Sequence, residues 1–216
     1  MLQPIYNPFK SFSFNNGTCF LSGEQLTADE PIQVFAPWLI RHCKLTDKPF
    51  KLLDESITTY PDLKLPCATS IRNKCIEPLE KQIELAFVNG YQAVKELPSI
   101  LLFQWIAKLM YGIIFNEIQI GMRQQAAQGE SFTMSQAMVH KFGNLHLMLQ
   151  SLMKPIMFED RLPWTIEVFP IQNPTHAFSY RDEINTLTFS LKMNNFGIIA
   201  CLQDNGTNKI YHQDIL

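Results

Sequence analysis

Residues 98 to 128 constrain this 216-residue chain more than any other stretch. Leu102, Ile106, Leu109, Ile113 and Ile120 follow the helical period there, and further apolar groups occupy most of the other sides. A helix that is apolar nearly all round has no face to give to water, so it belongs at the centre of a domain. Gln104, Lys108, Asn116 and Glu117 interrupt its densest part, Ile100 to Ile120, which is too many polar groups for a lipid-facing span. Buried polar groups need partners. Lys108 is expected to pair with a carboxylate across the bundle, as a structural ion pair, or to line a pocket.

The flanks supply the cover. From Asn73 the residues Ile76, Leu79, Ile83, Ala86 and Phe87 recur at spacings of three and four, which predicts a helix ended by Gly90. "SFTMSQAMVHKFGNLHLMLQSLMKP" predicts another, capped by Ser131 or Thr133 and stopped by Pro155. After Pro163 the texture is strand-like, in "WTIEVFPI", "TLTFSLKM" and "GIIACLQD", separated by "QNPTH" and "NNFG". Trp164, Ile166, Val168 and Leu187, Phe189, Leu191 alternate to point one face inward.

The N-terminal third is turn-rich. "NNG" at 15–17 and "SGE" at 22–24 flank Thr18 to Leu21 and suggest a hairpin, Pro37 opens a short helix through Cys43, and prolines at 49, 61 and 66 leave little room for helix. The fold class is therefore α+β: a small irregular N-terminal module, a helical middle and an antiparallel β C-terminal region. The expected division is 1–95 and 96–216, with one continuous domain as the alternative.

A hydrophobic fraction of 46% with 18% charged residues suits a folded globular chain. A net charge of −2 gives no global field toward nucleic acid or an anionic membrane, so such binding must rest on a local patch. Residues 41–81 lean basic and residues 155–216 lean acidic. Cys19, Cys43, Cys67, Cys75 and Cys201 are odd in number and widely spaced, which fits reduced thiols in a cytoplasmic compartment. "MLQPIYNPFKSF" has neither a charged n-region nor an apolar core, so no secretory signal is expected, and the sequons at Asn16 and Asn205 carry no weight.

Several chemistries lack their signatures. "FLSGE" has no glycine before its serine, as a nucleophile elbow requires, and the nine glycines form no phosphate loop. His140 and His146, about 240° apart around one helix, do not share a face; one is expected at the surface and one partly packed. Glu77, Glu80 and Glu84, interleaved with Lys74 and Lys81, read as a solvated helix face.

"CFLSGEQLT…IQVFAPWL" resembles the opening of HNH-type treble-clef proteins, in which a Cys-x-x-Cys knuckle precedes a Glu-His-Val-Phe-Pro-x-Trp-Leu segment. "LPCATSIRNKCIEPLEKQIELAF" resembles that family's second knuckle, Cys-x-x-Cys-Asn followed by a helix. The likeness covers about residues 17 to 90. It implies a treble-clef-like module, with Cys19, Ser22, Gln33, Cys67 and Asn73 at the motif positions.

The framework matches better than the chemistry. Ser22 and Ser70 stand three residues after Cys19 and Cys67, and Ile71 takes a ligand place when Asn73 is aligned with the family's asparagine. Two thiols do not make a tetrahedral zinc site, and Gln33, in the place of the general-base histidine, accepts no proton at neutral pH. Adding His42, Cys43 and Cys75 matches no standard knuckle spacing. Phe35, Trp38, Leu39 and Leu79 are expected to hold the module together instead.

No metal, cofactor or membrane is expected. The expectation is a non-catalytic cytoplasmic protein that binds nucleic acid or a protein partner. As the resemblance implies, Arg41, Lys44, Arg72 and Lys74 would contact phosphates. The alternative is a divergent metal-dependent HNH-type nuclease; a third possibility is a docking surface on an exposed strand edge or on Met134, Met138, Met148 and Met153.

Overall fold

The structure, a computed structural model, describes residues 5–27, 31–158, 161–172, 178–193 and 195–208. In chain order the elements are α1 (Pro8–Ser11), β1 (Ile32–Gln33), α2 (Pro37–His42), β2 (Pro49–Lys51), β3 (Ile57–Thr59) and β4 (Lys64–Leu65). Then come α3 (Thr69–Ile71), a π-helical stretch (Arg72–Ile76), α4 (Glu77–Asn89), α5 (Tyr91–Lys95), α6 (Ser99–Ala127) and α7 (Gln136–Leu149). The last four are β5 (Thr165–Pro170), β6 (Phe178–Glu183), β7 (Thr188–Met193) and β8 (Phe196–Cys201). The α+β class holds, and the C-terminal region carries a four-stranded antiparallel sheet of order β5-β8-β7-β6.

The chain forms two compact units, one of residues 1–77 and 111–154, the other of residues 78–110 and 155–216. They alternate along the sequence, unlike a single cut near residue 95. Helix α6 contributes its first half to one unit and its second half to the other. It is the one described helix long and apolar enough to cross a membrane, and 78% of its most apolar window is buried within the protein.

In the first unit two short antiparallel pairs, β1 with β4 and β2 with β3, are spaced by the prolines that exclude helix there. Phe35 packs against Phe50 and Tyr60 at ring separations of 5.9 and 4.8 Å. Gly112 on α6 is required by close approach, because a Cβ there would sit 2.6 Å from a methyl of buried Val34. Asn116 donates to the Lys64 carbonyl at 3.0 Å, and Glu117 accepts from the Leu53 N–H at 3.0 Å. Two of the polar interruptions of α6 thus hold the irregular module. α1 begins with Asn7, whose side chain accepts from the Phe9 N–H, and it packs on α7.

In the second unit α6 presents Trp105 and Lys108 to Glu80 of α4. Lys108 Nζ lies 2.5 Å from Glu80 Oε1, and Trp105 Nε1 donates to Glu80 Oε2 at 3.2 Å. The expected ion pair is there, and Glu80 corrects the expectation of a solvated acidic face: it is 9% exposed. Trp164 stacks on Phe103 at 3.9 Å and donates to Ser99 Oγ at 2.9 Å. Inward alternation is clean in β7, where Phe189, Leu191 and Met193 are buried, but Ile166 and Val168 in β5 are only half-buried.

Other expectations shift. The helix after Cys67 starts at Thr69, four residues before Asn73, with the extended Ala68 as its cap. The cap of α7 is Ser135, whose hydroxyl accepts from the Met138 N–H, and neither Ser131 nor Thr133. α1, α5 and β6 were not anticipated. Leu79 is buried in the second unit, so it does not share a unit with Phe35, Trp38 and Leu39. The "QNPTH" separator falls largely outside the described residues, as does Asn194 of "NNFG".

Candidate functional site

The first unit brings two turns together. The N-terminal turn is a small ladder: Thr18 bridges Gln25, the Cys19 N–H donates to the Glu24 carbonyl at 2.8 Å, and Leu26 N–H donates to the Gly17 carbonyl at 2.7 Å. This is the hairpin that the flanking "NNG" and "SGE" foretold. Gly23 closes it with a φ of +74°, and the Tyr6 ring packs so near that a Cβ would sit 2.4 Å away. Only glycine meets both demands. The Phe20 N–H then donates to the Pro66 carbonyl at 2.8 Å, so one backbone hydrogen bond is flanked by Cys19 and Cys67.

The two thiols meet. The polar groups that act on the Cys19 thiol are, in falling order of effect, the Cys67 side chain, the Ala68 backbone, and the side chain and backbone of Ser22. Together they hold the Cys19 thiol down at about 5 against the opposing cost of burial. Cys67 is pushed far up, first because its proton is held by Cys19 and then by burial. The two thiols therefore titrate as one coupled unit, whose first proton leaves below the ordinary thiol range and whose second leaves above it. The Cys67 S–H donates to the Ala68 carbonyl at 3.6 Å. Burial raises Cys75, Cys201 and Cys43, the last to about 12.

Helix α7 braces the turn from behind. His146 Nε2 donates to the Phe20 carbonyl at 2.8 Å, and Gln150 Nε2 donates to the Leu21 carbonyl at 2.9 Å. His146 is fully buried and His140 exposed, a sharper split than the sequence suggested. Tyr111, also fully buried, lays its ring 5.1 Å from His146 and 5.9 Å from Phe20, and its hydroxyl has no hydrogen-bond partner among the described residues. Burial, then the charges of Tyr6 and Cys19, raise its pKa well above the ordinary tyrosine range.

Of the motif positions, Cys19, Ser22 and Cys67 come together. Gln33 sits in β1, where its amide donates to the Pro61 carbonyl at 3.4 Å, and Asn73 is exposed on the π-helical stretch. Arg41 and Lys44 lie exposed at the C-terminal end of α2, with Lys44 in the left-handed region at φ +55°. Lys74 is exposed and Arg72 half-buried, and Arg72 lends positive charge to Cys67. A zinc ion of the kind the resemblance implies does not fit this donor set: two thiols and a hydroxyl fall short of four soft ligands. Among the described residues no group of three or more His, Cys, Asp or Glu side chains is placed to hold a metal.

Sequence reasoning missed three contributors: the Ala68 N–H, His146 and Gln150. The first is a backbone group with no sequence signature. The i, i+4 spacing of His146 and Gln150 was the available signal, since it puts both on one helix face. No protein-family model, no curated protein and no solved structure matches the chain.

Proposed function

We propose that the protein acts by binding rather than catalysis, in the cytoplasm, and that its first unit is a zinc-less HNH-like module contacting nucleic-acid phosphates. The observation that carries this is the meeting of the Cys19–Ser22 turn with the Cys67 turn at the head of a helix. The backbone hydrogen bond from the Phe20 N–H to the Pro66 carbonyl joins the two turns there, as a metal joins the two arms of a knuckle. Arg41, Lys44 and Lys74 are exposed within that unit, and the acidic excess of the chain belongs to the other one. Gln33 supports binding over hydrolysis, because its amide is a donor engaged with Pro61 and cannot take a proton from water.

The test is a fluorescence-anisotropy titration of labelled duplex DNA and RNA across ionic strength. Contacts to about four phosphates give a slope of log affinity against log salt of roughly −3 to −4, reduced by about one for each of Arg41→Gln, Lys44→Gln and Lys74→Gln. No salt-dependent affinity even at low ionic strength overturns the nucleic-acid reading and directs the search to a protein partner. Divalent-metal-dependent nicking of plasmid by the purified protein would overturn the non-catalytic one.

A further inference from the structure

Five free cysteines are distributed unequally: Cys43 and Cys201 lie away from the two turns, Cys75 is near enough for its charge to act on Cys67, and Cys19 and Cys67 sit on the two turns that the Phe20 to Pro66 hydrogen bond joins. Their backbones are fixed by the Phe20 to Pro66 hydrogen bond and by the Gly23 N–H to Cys19 carbonyl bond at 3.0 Å. The Phe20 to Pro66 bond leaves Cys19 and Cys67 as the neighbouring residues on the two joined turns, with the Cys67 sulfur 3.6 Å from the Ala68 carbonyl. A disulfide needs its two Cα atoms within about 7 Å, and the hydrogen bond between the adjacent residues Phe20 and Pro66 brings the two turns to that range.

We infer that Cys19 and Cys67 form an oxidation site, at which a peroxide joins the two sulfurs in a reversible disulfide that staples the two turns. Cys19 is the attacking sulfur, since the polar groups of Cys67, Ala68 and Ser22 around it favour its thiolate over that of Cys67. Its sulfur attacks one peroxide oxygen, the O–O bond breaks, hydroxide leaves, and Cys19 becomes a sulfenic acid. Cys67 then attacks that sulfur, the S–O bond breaks, and the S–S bond forms. The Cys67 proton joins the departing hydroxide as water. Two thiols have lost two electrons and two protons overall, and the peroxide has become two waters. Both cysteines are buried, at 0% and 2% exposure, so only a small oxidant reaches them without opening the unit. The inference does not rest on nucleic-acid binding, and either can fail alone.

The experiment uses the full chain, fully reduced, freed of reductant and exposed to graded hydrogen peroxide. Thiols counted after unfolding should fall from five to three. The intact mass should drop by two hydrogens, and a non-reducing digest should link the peptides bearing Cys19 and Cys67. A dithiol should restore all five. Cys75→Ser should leave the cross-link in place. Persistence of all five thiols at doses that exhaust a small-molecule thiol control overturns the inference. So does Cys19 gaining oxygen without a cross-link, or a disulfide that joins any other pair.

Discussion

His146 Nε2 and the Phe20 carbonyl are 2.8 Å apart, so helix α7 is fastened by a fully buried imidazole to the residue beside Cys19. Because a carbonyl only accepts, Nε2 carries a proton. Burial holds its pKa down to about 4, against the smaller upward pull of that hydrogen bond. An unfolded histidine takes up a proton near 6.5, so between 6.5 and 4 the unfolded chain binds more protons and native stability falls with pH. The full loss is about 3 kcal/mol, complete below pH 4. Urea midpoints at pH 7.5, 5.5 and 4.5 should decline in step. His146→Gln should cost about 1–2 kcal/mol at pH 7.5 through the weakened contact and flatten that decline. An unchanged slope in the variant would assign the acid sensitivity elsewhere.

The thiol pair makes a different pH signature. Unfolded, both cysteines titrate near pH 8.5; folded, Cys19 is held at about 5 and Cys67 far above its usual range. From pH 5 to about 8.5 the unfolded chain therefore holds one more proton than the native pair, and stability rises with pH. Above about 8.5 it holds one fewer, and stability falls. A maximum near pH 8.5 in the urea midpoint is the expected result. Cys19→Ser should abolish the rising limb and keep the falling one. Ultraviolet thiolate absorbance of the native protein should report close to one anion per chain at pH 7.

Glu80 and Lys108 are a buried pair whose partners are easier to lose singly than together. Lys108→Met leaves the buried Glu80 carboxylate without its cation while the Trp105 N–H still donates to it, and should cost about 3–5 kcal/mol. Adding Glu80→Gln removes the charge and keeps an acceptor for Trp105, so the double variant should recover most of that loss. Chemical denaturation of the three proteins closes the cycle. A double variant no better than Lys108→Met would mean that the pair does more than compensate its own burial.

What the sequence made legible follows from period and punctuation. The apolar run that became α6 was readable because helical spacing persists over many turns, and β7 because Phe189, Leu191 and Met193 alternate strictly. β6, "FSYRDE", was not: its charged residues conceal an alternation that only pairing with β7 reveals. Glu80 was misread because interleaved lysines along one helix say nothing about a lysine 28 residues away. Within the candidate site the thiols and Ser22 were legible from motif spacing. Their convergence depends on one non-local hydrogen bond, Phe20 to Pro66, for which sequence has no signal.

That convergence allows the knuckle reading to be tested by rebuilding it. Ser22 lies in the Cys19 turn, where its hydroxyl accepts from the Glu24 N–H at 3.3 Å, and Ser70 stands three residues beyond Cys67 in the first turn of the following helix. If the two turns have treble-clef geometry, Ser22→Cys with Ser70→Cys places four thiols around one point, and a tetrahedral zinc site follows. The double variant should then take up one zinc per chain with release of protons, resist thiol reagents at four positions, and unfold at higher denaturant only when zinc is supplied. Aligning Asn73 with the family's asparagine moves the fourth ligand to position 71, so Ser22→Cys with Ile71→Cys is the matching control. Zinc bound by the first pair alone fixes the register at Ser70. Zinc bound by the second alone shifts it by one residue. Zinc bound by neither would mean that the hydrogen-bonded thiols are a local arrangement of this fold, and the HNH-like account of the first unit would fall with it.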